Sequence, residues 1–148
     1  MPYSLMAVVL LMRLPLGIAQ ELNPHDPAMI ADGLNRSSVV VIGKFAVDWC
    51  WPWFDGWHCN GATHVEESLY GHWKVNDAVP FRWKEPYGPT CLICTKLSRL
   101  DGDRAIWFLS KRNGTWRFSG PHLSWCDENV PLDCRDAVVR CIRQRGMK

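Results

Sequence analysis

Cys91 and Cys94 have the C-x-x-C spacing of redox-active dithiols and of half a zinc site. A thioredoxin-like site needs a strand before the motif and a long helix after it, but residues 86–89 are rich in Pro and Gly and a polar loop follows. A zinc site needs a second cysteine pair or a histidine pair, and the next cysteines are Cys126 and Cys134. We therefore expect structural disulfides here, with redox catalysis and zinc binding as the alternatives.

Three histidines lie near Cys59 and suggest a mixed metal site: His58, His64 and His72. Isolated histidines in a Trp-rich segment are more typical of surface or packing positions. The chain also lacks a nucleophile elbow, a His-Glu-x-x-His motif and a Gly-rich phosphate loop. The sequence therefore predicts a protein that is not an enzyme and that has no cofactor and no metal.

Seven cysteines predict a disulfide framework with one thiol left unpaired, in a pairing that spacing alone does not fix. They are Cys50, Cys59, Cys91, Cys94, Cys126, Cys134 and Cys141. A turn at Asp55-Gly56 brings Cys50 and Cys59 together, so we expect these two to bond. If Cys134 and Cys141 share a helix, they lie roughly 10 Å apart. A disulfide needs Cα atoms within about 7 Å, which excludes that pair.

The chain contains nine tryptophans, and five of them lie in the 25 residues from Trp49 to Trp73. Tryptophan is rarely fully buried and is enriched at protein interfaces, so we expect the core to take up only about half of them. The aromatic cluster around the first two cysteines is the predicted contact surface for a partner. Its members are Trp49, Trp51, Trp53, Phe54 and Trp57.

Two Asn-x-Ser/Thr sequons begin at Asn35 and Asn113. Because the cysteine content and the N-terminal segment, described below, indicate a secreted protein, each asparagine is a predicted glycosylation site. Asn113-Gly114 is also a strong hairpin signal, so a turn and a glycan are expected at the same exposed position.

Length and composition predict a single folded domain. The chain has 148 residues, is 47% hydrophobic and 11% aromatic, and carries a formal charge of +2. A disordered chain is poor in aromatic residues, and a nucleic-acid-binding domain shows a clustered basic surplus. The sequence therefore predicts neither a disordered chain nor a nucleic-acid-binding domain.

Residues 1–19 resemble a signal peptide. The apolar run from Leu5 to Met12 is followed by small residues at Gly17 and Ala19, which fit cleavage after Ala19. A buried N-terminal helix is the alternative interpretation. With cleavage, residues 20–148 form one disulfide-stabilised extracellular domain, and no later run reaches the roughly 18 apolar residues of a membrane span.

The predicted fold class is α+β, a small disulfide-rich secreted domain with a short antiparallel sheet and a C-terminal helix. Strands are expected over 38–49, 70–75 and 79–83, and a hairpin over about 104–118 in which Trp107 and Trp116 pair across the strands. A helix is expected over 27–34, and another over 133–145 with Asp133 as its cap.

One stretch of the hairpin resembles herpesvirus envelope glycoprotein L, of the alphaherpesvirus type. The similar positions are an apolar run with Trp, a basic turn, a second Trp and a Pro: Ile106, Trp107, Phe108, Lys111, Trp116 and Pro121. The separation of Cys59 and Cys91 is similar to that of the family's first disulfide. The stretch from Cys134 to Cys141, followed by Arg143, is similar to its closing Cys–Arg–Cys segment. The family pattern leaves Cys50, Cys94 and Cys126 without counterparts.

The resemblance implies a non-catalytic viral envelope subunit. Such a chain binds glycoprotein H as a heterodimer, assists its folding and its transport through the endoplasmic reticulum and host Golgi apparatus, and supports membrane fusion by glycoprotein B during virus entry. It is then found in the virion envelope and at the outer side of the host cell membrane, peripherally and through its partner. A small chain with surplus apolar surface gains stability by such binding.

A second interpretation comes from a different class. The stretch from Asp55 to Cys59 and the stretch from Asn113 to Trp116 resemble the hormone-binding ectodomain of class B peptide-hormone receptors. That family has six cysteines in a fixed order, and Ser110 stands where one is expected. The alternative is therefore a secreted ligand-binding protein, either a soluble decoy of this type or an effector that binds a host protein.

Overall fold

A computed structural model describes residues 25–88, 97–119 and 129–147. The predicted signal peptide, residues 1–19, lies outside these ranges, as do Cys91, Cys94 and Cys126. The helices and strands, in chain order, are α1 (Pro27–Arg36), β1 (Val39–Trp53), β2 (Gly56–Tyr70), β3 (Ala78–Glu85), β4 (Arg104–Arg112), β5 (Thr115–Phe118), β6 (Asn129–Val130) and α2 (Arg135–Gln144). Short 3-10 turns lie at Leu97–Leu100 and Leu132–Cys134.

Five of the strands close into a barrel. β1 pairs antiparallel with β2 and with β4, β2 with β3, and β4 with β5. One parallel pair, Phe81 opposite Trp116, joins β3 to β5. This order, 1-2-3-5-4 with β4 returning to β1, is the strand order of the OB fold, a partly open Greek-key barrel. The two-residue β6 pairs with Ile106 and Trp107 of β4.

β1 bends so that it can pair with two neighbours. Its register against β2 shifts at three points, the last of them between Val47 and Trp49, and such bulges increase the local twist. At Gly43 the backbone of β2 comes so close that a Cβ atom would lie 2.2 Å from the carbonyl oxygen of His64. The indole of Trp107 donates a hydrogen bond of 2.8 Å to the carbonyl of Gly43. A side chain at Gly43 would therefore block this corner of the barrel.

Apolar cores lie on both faces of the sheet. In β1, Val39 and Val41 point into the barrel, whereas Val40 and Ile42 point toward the two helices. The barrel interior is aromatic: the ring of Phe45 lies within 6 Å of the rings of Phe81, Trp83, Trp107 and Phe118. The outer core packs α1 and α2 on the sheet through Ile30, Leu34, Phe108, Val138 and Ile142. Burial on both faces explains the continuous apolar runs in these strands.

Both predicted helices are present. α1 begins at Pro27, and the side chain of Asp26 accepts a hydrogen bond of 2.9 Å from the amide of Ala28, as expected of an N-cap. The prediction that Asp133 caps the C-terminal helix is wrong. Asp133 lies in the preceding 3-10 turn, and the N-cap residue, Cys134, makes no side-chain capping bond.

The hairpin over 104–118 is confirmed as β4 and β5, but its tryptophans do not pair. Trp116 lies opposite Lys111, and Trp107 lies opposite Val41 of β1. The fold class is confirmed in part, because the domain is small and contains both a sheet and a C-terminal helix. The sheet is not short and purely antiparallel, however, but a mixed barrel.

The sequence prediction missed β2. The expected strand over 70–75 is wrong, since β2 ends at Tyr70 and a turn follows. β2 spans 15 residues that include Gly, Asn, Glu and Ala, types with weak strand preference. It forms because both of its edges are paired, with β1 on one side and β3 on the other.

Candidate binding surface

The end of β1 and the start of β2 form a hairpin that we call the aromatic arm, residues 49–60, and its β2 half also pairs with β3. Its register is regular from Trp49 opposite Asn60 to Trp53 opposite Gly56. A disulfide joins Cys50 to Cys59 across the strands. The turn needs Gly56, whose φ is +135° and where a Cβ atom would lie 2.4 Å from the carbonyl oxygen of Glu85. The arm is therefore held in register at both its base and its tip.

Three tryptophans form a row along one face of the arm. Trp49, Trp51 and Trp53 are alternate residues of β1 and so point to the same side of the strand. They are 52%, 63% and 52% exposed, and Phe54 at the turn is 86% exposed. Four of the five predicted contact residues thus share one exposed surface.

A row of polar side chains lies beside these tryptophans. The neighbours across β2 and β3 on the same face are His58, Asn60, Arg82 and Lys84. Arg82 and Lys84 are not among the predicted contact residues, although alternation along the predicted strand over 79–83 indicates that Arg82 points outward. The face therefore combines flat apolar rings with hydrogen-bonding groups.

Asp55 ties the tip of the arm to β3. Its carboxylate contacts the ammonium of Lys84 at 2.7 Å and the ring of His58 at 2.8 Å. The hydrogen bond from Lys84, followed by that from His58, lowers the pKa of Asp55 from 3.8 to about 2. The carboxylate is therefore ionised at neutral pH, and it neutralises part of the positive charge on this face.

The fifth predicted contact residue, Trp57, lies on the opposite face of the arm. Its ring makes an edge contact with Tyr87 at 5.8 Å, and the hydroxyl of Tyr87 donates to the carbonyl of Trp53. On the same face, buried Glu85 accepts hydrogen bonds from the indole of Trp83 and from the amide and hydroxyl of Ser98. Trp57 thus supports the arm and is not part of the exposed row.

A cleft of about 370 Å³ lies where β3 and β5 separate. It is lined by aromatic and basic side chains: Phe81, Arg82, Trp83, Lys84, Leu97, Trp116, Arg117 and Phe118. The ammonium of Lys111 lies 5.7 Å from the ring centre of Trp116, within cation–π range. The cleft shares Arg82 and Lys84 with the exposed face, so the two form one continuous surface.

The remaining cysteines of the described ranges are reduced. Cys134 and Cys141 are free and buried, and they do not bond to each other. Burial is the main cause that raises the pKa of Cys134 to about 11, with the carboxylate of Asp133 adding to the shift. The pairing of the cysteines at 91, 94 and 126 lies outside the described residues.

The other predicted site residues are dispersed. The disulfide removes Cys59 as a ligand, His58 pairs with Asp55, and the ring of His72 stacks on Trp73. Asn113 is exposed at the β4–β5 turn with a φ of +50°. Asn35 is exposed in the last turn of α1, where its side chain accepts from Arg145. Glycosylation at both asparagines stays a prediction.

Among the described residues, no helix combines the length and the apolar character needed to span a bilayer.

Comparisons of the chain with protein-family models, with characterised proteins and with solved structures found no match.

Proposed function

We propose that this chain is a non-catalytic binding protein of the secretory pathway that docks on a partner protein through the aromatic arm. The observation that carries the proposal is the row of Trp49, Trp51 and Trp53, each at least half exposed on a hairpin braced by a disulfide. Large rigid rings on a fixed scaffold lose little entropy on binding and bury much apolar area. An apolar cleft with a polar rim on the partner would complement this face.

The resemblance to glycoprotein L names one such partner, glycoprotein H, and stays a prediction. Of the residues that carry it, Ile106, Trp107 and Phe108 are fully buried in the two cores. Packing alone accounts for these three, while Cys91 and Pro121 lie outside the described residues. The proposed arm contact therefore does not depend on that assignment.

The proposal is tested by expressing the chain in mammalian cells with and without a glycoprotein H ectodomain. We expect the wild-type chain to be secreted efficiently only as the complex. Changing Trp49, Trp51 and Trp53 together to Ala should abolish the association, whereas Val75→Ala, at an exposed apolar position outside the arm, should leave it intact.

A photo-crosslinking side chain at Phe54, compared with one at Val75, separates the arm's role from the viral assignment. A discrete protein adduct from position 54 that disappears in the triple Trp variant supports docking through the arm even if glycoprotein H does not bind. Equal adducts from both positions would contradict docking through the arm.

Oligosaccharide binding is the second candidate, and the fold favours it. In OB barrels the outer face of strands 2 and 3 and the β1–β2 loop bind oligosaccharides and oligonucleotides. Here the same face carries Asn60, Arg82 and Lys84 beside the aromatic row. Binding to a panel of immobilised glycans that is lost in both Trp51→Ala and Arg82→Ala would favour this function over a protein partner.

A further inference from the structure

Three side chains of different chemistry meet where both helices begin. His25 lies two residues before α1, Asp133 lies in the 3-10 turn Leu132–Cys134, and Cys134 directly precedes α2. One donor atom from each lies within 4.8 Å of the other two. The chain thus brings an imidazole, a carboxylate and a thiol to one point from positions more than 100 residues apart.

The separations between these atoms have the size of a tetrahedral metal site. The sulfur of Cys134 lies 3.7 Å from both ring nitrogens of His25 and 3.6 Å from a carboxylate oxygen of Asp133, and His25 Nε2 lies 3.5 Å from the other oxygen. Zinc bond lengths at the tetrahedral angle place sulfur and nitrogen about 3.5 Å apart, nitrogen and oxygen about 3.4 Å, and sulfur and oxygen about 3.6 Å. Each separation agrees with its zinc value within a few tenths of an ångström, with the sulfur and the ring nitrogen contacting different oxygens of Asp133; with one donor atom per residue, the three lie within 4.8 Å of one another.

The thiol of Cys134 donates a hydrogen bond to Asp133, but hydrogen bonding accounts less well for the contacts of His25. The distance from His25 to Asp133 exceeds the ordinary range for nitrogen–oxygen hydrogen bonds. The sulfur is equally far from the two ring nitrogens, so it is not in line with either lone pair. Zinc binding requires the half-exposed ring of His25 to turn so that Nε2 faces the cluster.

We propose that His25, Asp133 and Cys134 bind a zinc ion that clips the start of α1 to the turn before α2. Thiolate, imidazole and carboxylate are all zinc ligands, and a thiolate with a carboxylate balances the charge of Zn²⁺. Zinc displaces the proton of the Cys134 thiol, which passes to solvent as the zinc–sulfur bond forms. Cys134 is buried, whereas the side chains of His25 and Asp133 are 49% and 71% exposed, so the cluster lies at the edge of the helix packing.

The site differs from the zinc site that the C-x-x-C spacing of Cys91 and Cys94 suggests, and it contradicts the expectation that the chain binds no metal. It is also independent of the aromatic arm, because it lies among the helix starts. Metal binding that stabilises only the folded chain raises the melting temperature by mass action.

The test is a titration of the purified full chain with Co²⁺, followed by displacement with Zn²⁺. We expect one Co²⁺ per chain, a near-ultraviolet thiolate-to-cobalt absorption band, loss of that band on adding Zn²⁺, and a rise in melting temperature of roughly 5 °C at saturating Zn²⁺. Binding should weaken at least 100-fold in His25→Ala and in Asp133→Asn. Both replace exposed side chains, so neither change can act by unfolding the core.

Control variants at the other cysteines test whether Cys134 is the thiolate that binds the metal. Cys134→Ser should remove the thiolate band, whereas Cys141→Ser, at the other buried free cysteine, should keep it. A double change of Cys91 and Cys94 to Ser should also keep it. The proposal is overturned if Co²⁺ gives no thiolate band, if the band survives Cys134→Ser, or if the double change removes it while His25→Ala does not.

Discussion

In the barrel, Trp107 is fully buried, lies 5.7 Å from the ring of Phe45 and donates to the carbonyl of Gly43. In the aromatic arm, Trp51 is 63% exposed and points away from the barrel interior. Both residues lie within long strands, β4 and β1, so their residue type and strand character do not distinguish them. Their roles differ because the register shift after Val47 changes which side of β1 faces the interior.

The largest expected effect comes from removing the buried tryptophan of the barrel. Trp107→Ala should lower the free energy of unfolding by about 3–5 kcal/mol, because it leaves a cavity and removes the indole's hydrogen bond to the carbonyl of Gly43. Trp51→Ala should lower it by only about 0.5 kcal/mol, as expected of an exposed site. Urea denaturation followed by circular dichroism measures both. Equal losses of stability in the two variants would contradict this account, because they would mean that the arm is packed as part of the core.

The next largest effect is expected at Gly43, the position at which the backbone of β2 comes closest to β1. Gly43→Ala should destabilise the chain by about 3 kcal/mol, because the new Cβ atom meets the backbone of β2 at His64. Gly88→Ala is the matched control, since no atom of the described residues lies within 4 Å of a Cβ atom there. The same denaturation experiment compares the two, and similar midpoints would contradict the tight corner.

A smaller effect is expected from the disulfide of the arm. Changing both Cys50 and Cys59 to Ser should cost about 2–3 kcal/mol, the chain-entropy estimate for a loop of this length. Amide hydrogen exchange should accelerate in residues 49–60 but not at Val41 in the barrel. Faster exchange throughout the barrel would mean that arm and barrel unfold as one unit.

The smallest effect is the pH response of Asp55. Because its pKa in the folded chain, about 2, lies below the ordinary value of 3.8, the carboxylate contributes stability above pH 3.8 and loses that contribution as pH falls toward 2. The contact is exposed and screened by solvent, so the change in stability is slight. An NMR titration of the Asp55 carboxyl group should give a pKa near 2. A pKa near 4, as expected if Lys84 were not bound, would contradict the contact.

The sequence predicts those elements whose signals are local. Asn113-Gly114 marks the β4–β5 turn, the apolar face of residues 135–144 marks α2, and the β-branched run at 39–42 marks β1. β2 escapes prediction because its strand character comes from pairing on both edges. The closure of β4 on β1 likewise depends on contacts between distant parts of the chain.

The sequence predicts which residues form the candidate surface but not how they are arranged. The excess of tryptophan identifies Trp49, Trp51 and Trp53. That these three share one face follows from the register of the arm, which the sequence does not reveal. Nor does spacing distinguish Trp57, which supports the arm from behind. The meeting of His25 with Cys134 depends on how α1 packs beside α2, and no local pattern encodes it.

The most direct test is to measure stability and binding together in the variant that carries Ala at 49, 51 and 53. We predict that its free energy of unfolding falls by less than about 2 kcal/mol, less than for Trp107→Ala alone, since these side chains are largely in water already. We also predict that the partner adduct formed from a crosslinker at Phe54 disappears. A variant that unfolds, or one that keeps the adduct, would contradict the account of the arm as an exposed binding surface.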